Sequence, residues 1–264
     1  MIPPEPRSRA VVLTLSVLAS LLAGSLAACG RVPGQFEILQ NQAPMSGCAI
    51  DTSRMIYRGE GHLDLSLVRP GATTAYLMFP LVINNLAAST ASGGGDPNEI
   101  DVHSFAIDIG ASKQSYLPPK VQSLFDTLNQ NPGSPDYSIL HYSLPWAVTI
   151  SSGGGLAATA VDAFPVELAQ RVLATGDVSA SSTSMLINIR VRIFGSTNTQ
   201  DMESDPFDFP VYVCSGCLVA SVLPCPVMGV PPLAGNPCNV AQDDSVDCCS
   251  LNGSLICPAI VGAQ

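Results

Sequence analysis

The stretch SMLINIRVRIF, residues 184–194, alternates without interruption. Met185, Ile187, Ile189, Val191 and Ile193 share one face, and Leu186, Asn188, Arg190, Arg192 and Phe194 share the other. Successive side chains of an extended chain point to opposite sides, so this period of two marks a strand with one apolar face in a core. The wholly apolar face is expected to point inward.

Weaker copies of the pattern surround it. Phe207, Phe209, Val211 and Val213 alternate in 207–213, and Leu63, Leu65 and Leu67 alternate with Asp64 and Ser66. Residues 100–109 place Ile100, Val102, Ser104, Ala106 and Asp108 on one face, with His103, Phe105, Ile107 and Ile109 on the other. Residues 74–84 form the most apolar run, with a kink expected at Pro80 because proline lacks the ladder donor. Short runs at 53–58, 137–142 and 146–150 are further strand candidates. Helical spacing is confined to 164–174, closed by Gly176, and to a second helical turn at 121–128. The reading is a mainly β chain: an immunoglobulin-like β-sandwich with one or two short helices and a disulfide-rich C-terminal segment, with a barrel as the competing architecture.

Charge is sparse for a chain of this length. Charged residues make up 12% of the 264, and the lysines are Lys113 and Lys120 alone. The formal charge is −10, and no basic cluster offsets it, which argues against a nucleic-acid partner.

The N-terminus carries Arg7 and Arg9, then an uncharged run from Ala10 to Ala28 rich in Ala, Val and Leu. Its length suits a retained membrane anchor, whereas the Gly24-Ser25 break and the small residues before Cys29 suit a signal peptide. Leu26-Ala27-Ala28-Cys29 resembles the lipobox of bacterial lipoproteins, position by position. The resemblance implies removal of residues 1–28 and lipidation of the Cys29 thiol. Acylation of the new amine would complete a stable anchor. Gly30 stands where an inner-membrane retention aspartate would be, which implies the outer membrane. Cleavage takes away Arg7, Arg9 and Glu5, a net of one positive charge, and leaves the mature chain at −11.

The domain reading has a signal peptide at 1–28, a lipidated N-terminus and tether at 29–47, a β-sandwich domain at 48–213 and a cysteine-rich segment at 214–264. Of nine cysteines, Cys29 is set aside for lipid, leaving Cys48, Cys214, Cys217, Cys225, Cys238, Cys248, Cys249 and Cys257. An even count in an exported chain reads as four disulfides. Cys48 is expected to reach the distant C-terminal end, and Cys248 and Cys249, being adjacent, to pair elsewhere than with each other. Cys214-Ser215-Gly216-Cys217 also fits a redox or zinc motif.

The remaining candidates are weaker. His62, His103 and His141 fall on separate strand candidates and are read as structural. Asp243, Asp244 and Asp247 lack the spacing of a calcium loop. Gly93–Gly95 and Gly153–Gly155 lack the lysine and helix of a phosphate loop. Asn252-Gly253-Ser254 matches a glycosylation sequon, which has no role in a bacterial chain. No catalytic residue, metal or cofactor is assigned. The expectation is a non-enzymatic lipoprotein of the outer membrane, binding or structural, held through Cys29 and partnered by other envelope proteins. The alternative is a lipid-anchored hydrolase whose site is assembled from distant residues.

Overall fold

The computed structural model describes residues 35–54, 56–69, 71–88, 96–112, 117–178, 184–225, 233–252 and 254–257. The first half contributes strands β1 (Phe36–Gln42), β2 (Tyr57–Arg58), β3 (Gly61–Asp64), β4 (Thr74–Met78), β5 (Pro80–Asn84) and β6 (Ile100–Ala111). Helix α1 (Pro119–Asn129), strands β7 (His141–Ile150), β8 (Gly155–Ala158) and β9 (Val161–Pro165), and helix α2 (Val166–Ala174) follow. The chain then runs through β10 (Met185–Ser196), β11 (Asp201–Glu203), β12 (Phe207–Cys214), β13 (Val219–Pro224), β14 (Val246–Leu251) and β15 (Ser254–Ile256). The fold is mainly β, with two α-helices among the described residues.

β10 is the axis of the largest sheet, in the order β3-β12-β10-β6-β7, with β11 added to the end of β10. Met185, Ile187, Ile189, Val191 and Ile193 are each no more than 1% exposed, as the alternation requires. β12 and β6 flank β10 antiparallel, so Ile189 stands between Phe209 and Ile109. A second sheet has the order β2-β1-β5-β8, and its Phe36, Ile38 and Val82 belong to the same core cluster as the β10 face.

Four readings of the sequence need correction. The tether proposed for 29–47 contains β1, which pairs antiparallel with β5 and buries Phe36 and Ile38. Phe36, Ile38 and Leu39 in a Gln- and Asn-rich heptapeptide gave no period strong enough to mark it, since Leu39 falls out of the alternation. In β6 the strict alternation fails, because the pairing shifts between Val102 and Ser104. This bulge reverses the phase, so Ile100 and Val102 are buried on one side of it and Phe105, Ile107 and Ile109 on the other. The run 62–68 stops being a strand at Asp64 and continues as a 3₁₀ turn, Leu65–Leu67. Asp64 is buried rather than solvent-facing. Candidate 137–142 is mostly a 3₁₀ turn, Tyr137–Ile139, and only its end joins 146–150 in one strand, β7, with Pro145 inside it on the sheet's edge.

The apolar run 74–84 divides at Phe79 as Pro80 suggests, and its halves enter different sheets. Helix α1 starts on Pro119, pre-set in φ for a first turn, and buries Val121, Phe125 and Leu128 along one stripe. Helix α2 buries Leu168, Ala169 and Val172, and Glu167 pairs with Arg171 one turn on at 2.8 Å.

The cysteine-rich end builds its own three-stranded sheet, β13-β14-β15, with Val246 and Cys248 in the common core. The disulfides are Cys48–Cys238, Cys214–Cys217, Cys225–Cys249 and Cys248–Cys257. The long-range staple from Cys48 is present, and Cys248 and Cys249 each pair elsewhere. Residues 236–244 dock by polar side chains: Asn239 Nδ2 donates to the Ala75 carbonyl. Gln242, fully buried, accepts from Leu77 N at 2.8 Å and donates to Leu77 O at 3.1 Å, as a strand backbone would.

Candidate functional site

The outward face of the large sheet carries a row that register alone assembles. Arg190 of β10 is opposite Asp208 of β12 and Asp108 of β6, and Asp108 is opposite His141 of β7. Four adjacent strands therefore present Asp208, Arg190, Asp108 and His141 side by side. Arg190 holds Asp208 with two parallel bonds, Nε to Oδ1 at 2.8 Å and Nη2 to Oδ2 at 3.0 Å. The Asp208 carboxylate holds the Arg190 guanidinium above its ordinary pKa, though the pair is open to water. Asp108 lies 2.8 Å from His141 Nδ1 and 3.6 Å from Arg192 Nη2, and Arg192 also reaches Glu203 at 2.8 Å.

His141 is fixed on every side. Its Nε2 faces Asn129 Oδ1 at 2.8 Å, the Asn129 amide donates to the Phe125 carbonyl, and Tyr137 stacks on the ring at 4.2 Å. Both ring nitrogens thus face oxygen acceptors. Beside the row the next register step is Pro210, Asn188 and Gly110. The missing side chain at Gly110 helps to open a groove of about 560 Å³, bounded by the row, Asn129 and Asn188. A Cβ added at Gly110 would meet nothing within 4 Å. Across β12 a smaller hollow of about 280 Å³ shares Asp208 and is lined by Leu39, Tyr57 and Phe207. Tyr57 is 64% exposed there.

Chemically, the groove offers carboxylate, guanidinium, imidazole and amide edges on the outer face of the sheet. The position a nucleophile would take at His141 Nε2 is held by Asn129. Sequence reasoning placed His141 on a strand as a lone histidine and missed Asp108, Arg190 and Asp208 as a unit. The outward positions of 184–194 carried Arg190 and Arg192 in plain view, but only the register tells which acids face them.

The other candidates are dispersed. His62 stacks on Tyr212, and His103 is exposed beside Ser104. Asp243 and Asp244 enclose Arg58: Arg58 Nη2 donates to Asp244 at 2.8 Å, and its Nε lies 3.4 Å from Asp243. Asp243 also accepts from the Tyr76 hydroxyl and from His62 N. Burial pushes the Asp243 carboxyl up despite these donors, and burial beside Asp243 pushes the Tyr76 hydroxyl far up, so Tyr76 remains a donor. Asp247 accepts from Ser221 Oγ and Leu233 N. These three acids thus serve as internal ties. Gly153 and Gly154 form a left-handed turn that hydrogen-bonds to Leu86 and Asn84. Cys29, its lipobox and Gly93–Gly95 lie outside the described residues, as does Gly253 of the sequon.

Among the described residues the one tight grouping of metal-ligand types is Asp64, Cys214 and Cys217, whose sulfurs are joined to each other. Family models, curated proteins and solved structures were compared with the chain, and none matches it.

Proposed function

We propose that this chain is a membrane-anchored envelope lipoprotein of a bacterium. It is held in the outer membrane through lipid on Cys29 and displays a β-sandwich of immunoglobulin-like character that binds another envelope component. Support for the anchor is the match of Leu26-Ala27-Ala28-Cys29 to the lipobox. The four disulfides use eight of the nine cysteines, with Cys29 the ninth, in keeping with an oxidising compartment. Support for a sandwich is the single core shared by Phe36, Ile38 and Val82 with Ile187, Ile189 and Val191.

The observation that carries a binding role is the open polar groove along Asp208, Arg190, Asp108 and His141. Its groups are already paired with one another, so a partner's hydrogen-bonding groups meet a pre-arranged surface. The convergence of His141 with Asp108 favours the hydrolase as a second reading. Against it stands Asn129 on the imidazole, where a reacting hydroxyl or thiol would have to be.

A photo-crosslinking residue at Asn188, compared with one at exposed Gln170 on α2, tests the binding role in intact envelopes. The expected result is one discrete adduct from Asn188 and none from Gln170, abolished by Gly110→Phe, whose Cβ has open space and whose ring is placed to obstruct the groove. Equal adducts at both positions, or an adduct indifferent to Gly110→Phe, would contradict it.

A further inference from the structure

We propose that the Cys214–Cys217 disulfide is a thiol–disulfide exchange site, open at Cys217 to a dithiol partner, while the other three disulfides are scaffold.

Exposure separates the two sulfurs. Cys217 is the one exposed cysteine among those described, whereas Cys214 at the end of β12 is 1% exposed. Exchange needs a thiolate to approach one sulfur along the S–S axis, and only the Cys217 side is open to solvent. Its pairing also closes the shortest loop. The sequence separation is 3, against 9, 24 and 190 for the others. A shorter loop withholds less chain entropy from the unfolded state, so opening this bond costs the fold least.

The loop does not depend on the bond for its shape. Asp64 is fully buried on β3, opposite Cys214 in the parallel pairing with β12. Its Oδ1 accepts from Gly216 N at 2.7 Å and its Oδ2 from Leu218 N at 2.9 Å, clamping the loop on both sides of Cys217. Ser66 donates to the same carboxylate through its N and Oγ, so the clamp is itself held. The reduced state is provided for as well. Cys214 Sγ lies 3.4 Å from the Leu63 carbonyl oxygen, which would accept the hydrogen of a Cys214 thiol. A buried thiol left without an acceptor would oppose reduction, and here that cost is absent.

The step balances as an exchange. A thiolate of the dithiol partner attacks Cys217 Sγ and forms a mixed disulfide. The Cys214–Cys217 bond breaks, and its electron pair leaves on Cys214 Sγ, which takes a proton from solvent. The partner's second thiolate then attacks the partner's own sulfur in the mixed disulfide, and Cys217 Sγ leaves with the electron pair and takes the second proton from solvent. Two electrons and two protons have passed to the chain, and the partner departs as a disulfide. The reverse sequence oxidises the chain.

The folded full chain is titrated with dithiothreitol, quenched by alkylation and mapped by mass. Cys214 and Cys217 are expected to be alkylated at a reductant concentration about tenfold or more below that opening Cys225–Cys249 and Cys48–Cys238, with the near-ultraviolet circular dichroism retained. With oxidised glutathione as probe, Cys214→Ala should acquire one glutathione at Cys217. Cys217→Ala, whose remaining thiol is buried, should acquire none at Cys214. Opening of this pair only together with the others, or only as the tertiary signal is lost, would overturn the proposal. So would glutathionylation of Cys217→Ala at a rate equal to that of Cys214→Ala.

Discussion

A methyl group added at Gly61 lies 2.6 Å from Tyr76 Cζ and 3.0 Å from Phe209 Cε1, and closer still to the Tyr76 hydroxyl. The phenol cannot retreat, because Tyr76 is fully buried, faces Phe209 and donates to Asp243 at 3.0 Å. Gly61→Ala must therefore push the ring aside. Overpacking of this kind costs about 1–3 kcal/mol. Loss of the hydroxyl's bond to a buried carboxylate adds about 1.5–3 kcal/mol. A destabilisation of about 2.5–6 kcal/mol is expected, a large share of a domain's whole stability. Urea unfolding with disulfides intact reads it as a lower midpoint at unchanged slope. Tyr76→Phe removes the closest atom and the hydrogen bond together. In that background Gly61→Ala should cost less by about 1 kcal/mol or more. A Gly61→Ala variant within about 0.5 kcal/mol of the parent, or strict additivity with Tyr76→Phe, would refute the placement of β3 against Tyr76 and the docked Asp243.

Three further outcomes are expected. Ile189→Ala, fully buried between Phe209 and Ile109, should cost about 3–4 kcal/mol, whereas Arg192→Ala on the outer face should cost about 1 kcal/mol or less, both read by urea midpoints. Removing the Cys48–Cys238 bond, with a separation of 190, by a double serine variant should cost about 4–5 kcal/mol by the same assay. Burial holds Asp162 and Asp243 above the usual carboxylate range, so the folded chain binds these protons more tightly than the unfolded chain. Their contribution is present in full below the unfolded value near 3.8 and is lost as pH rises through the folded values. Asp162→Asn, which keeps an acceptor for Thr74 Oγ1, should leave stability at neutral pH unchanged or higher and flatten its dependence above about pH 4; a marked loss at neutral pH would contradict this.

Periodicity was informative wherever one strand obeyed it without a break. β10 and β12 could be read residue by residue because their inward positions are uniformly apolar. β6 could not, since the shift beside His103 moves Phe105, Ile107 and Ile109 to the face that Ile100 and Val102 occupy before it. A bulge leaves no mark in hydrophobicity beyond a change of phase. β1 was hidden for a different reason: its buried Asn41 accepts from Phe79 N and its buried Gln42 donates through Nε2 to the Arg54 carbonyl, partners which no local pattern announces. The candidate site was legible only as parts. Arg190 and Arg192 stood out as charges on a strand, but Asp108, His141 and Asp208 lie on three other strands, and pairing them requires the register. The cysteine count was enough to anticipate four bonds and the reach of Cys48, because parity and adjacency are properties of sequence. The buried environment of Asp64 comes from donors on Gly216 and Leu218, more than a hundred residues away in the chain.

The mass of the N-terminal peptide from membrane-purified protein tests the proposed lipid anchor at Cys29 directly. The prediction is a chain beginning at Cys29 that carries a diacylglycerol thioether and an acylated amine, with Cys29→Ser left unprocessed or released from the membrane. An N-terminal peptide retaining residues 1–28, or one beginning at an unmodified Cys29 in protein still bound to membranes, would contradict it.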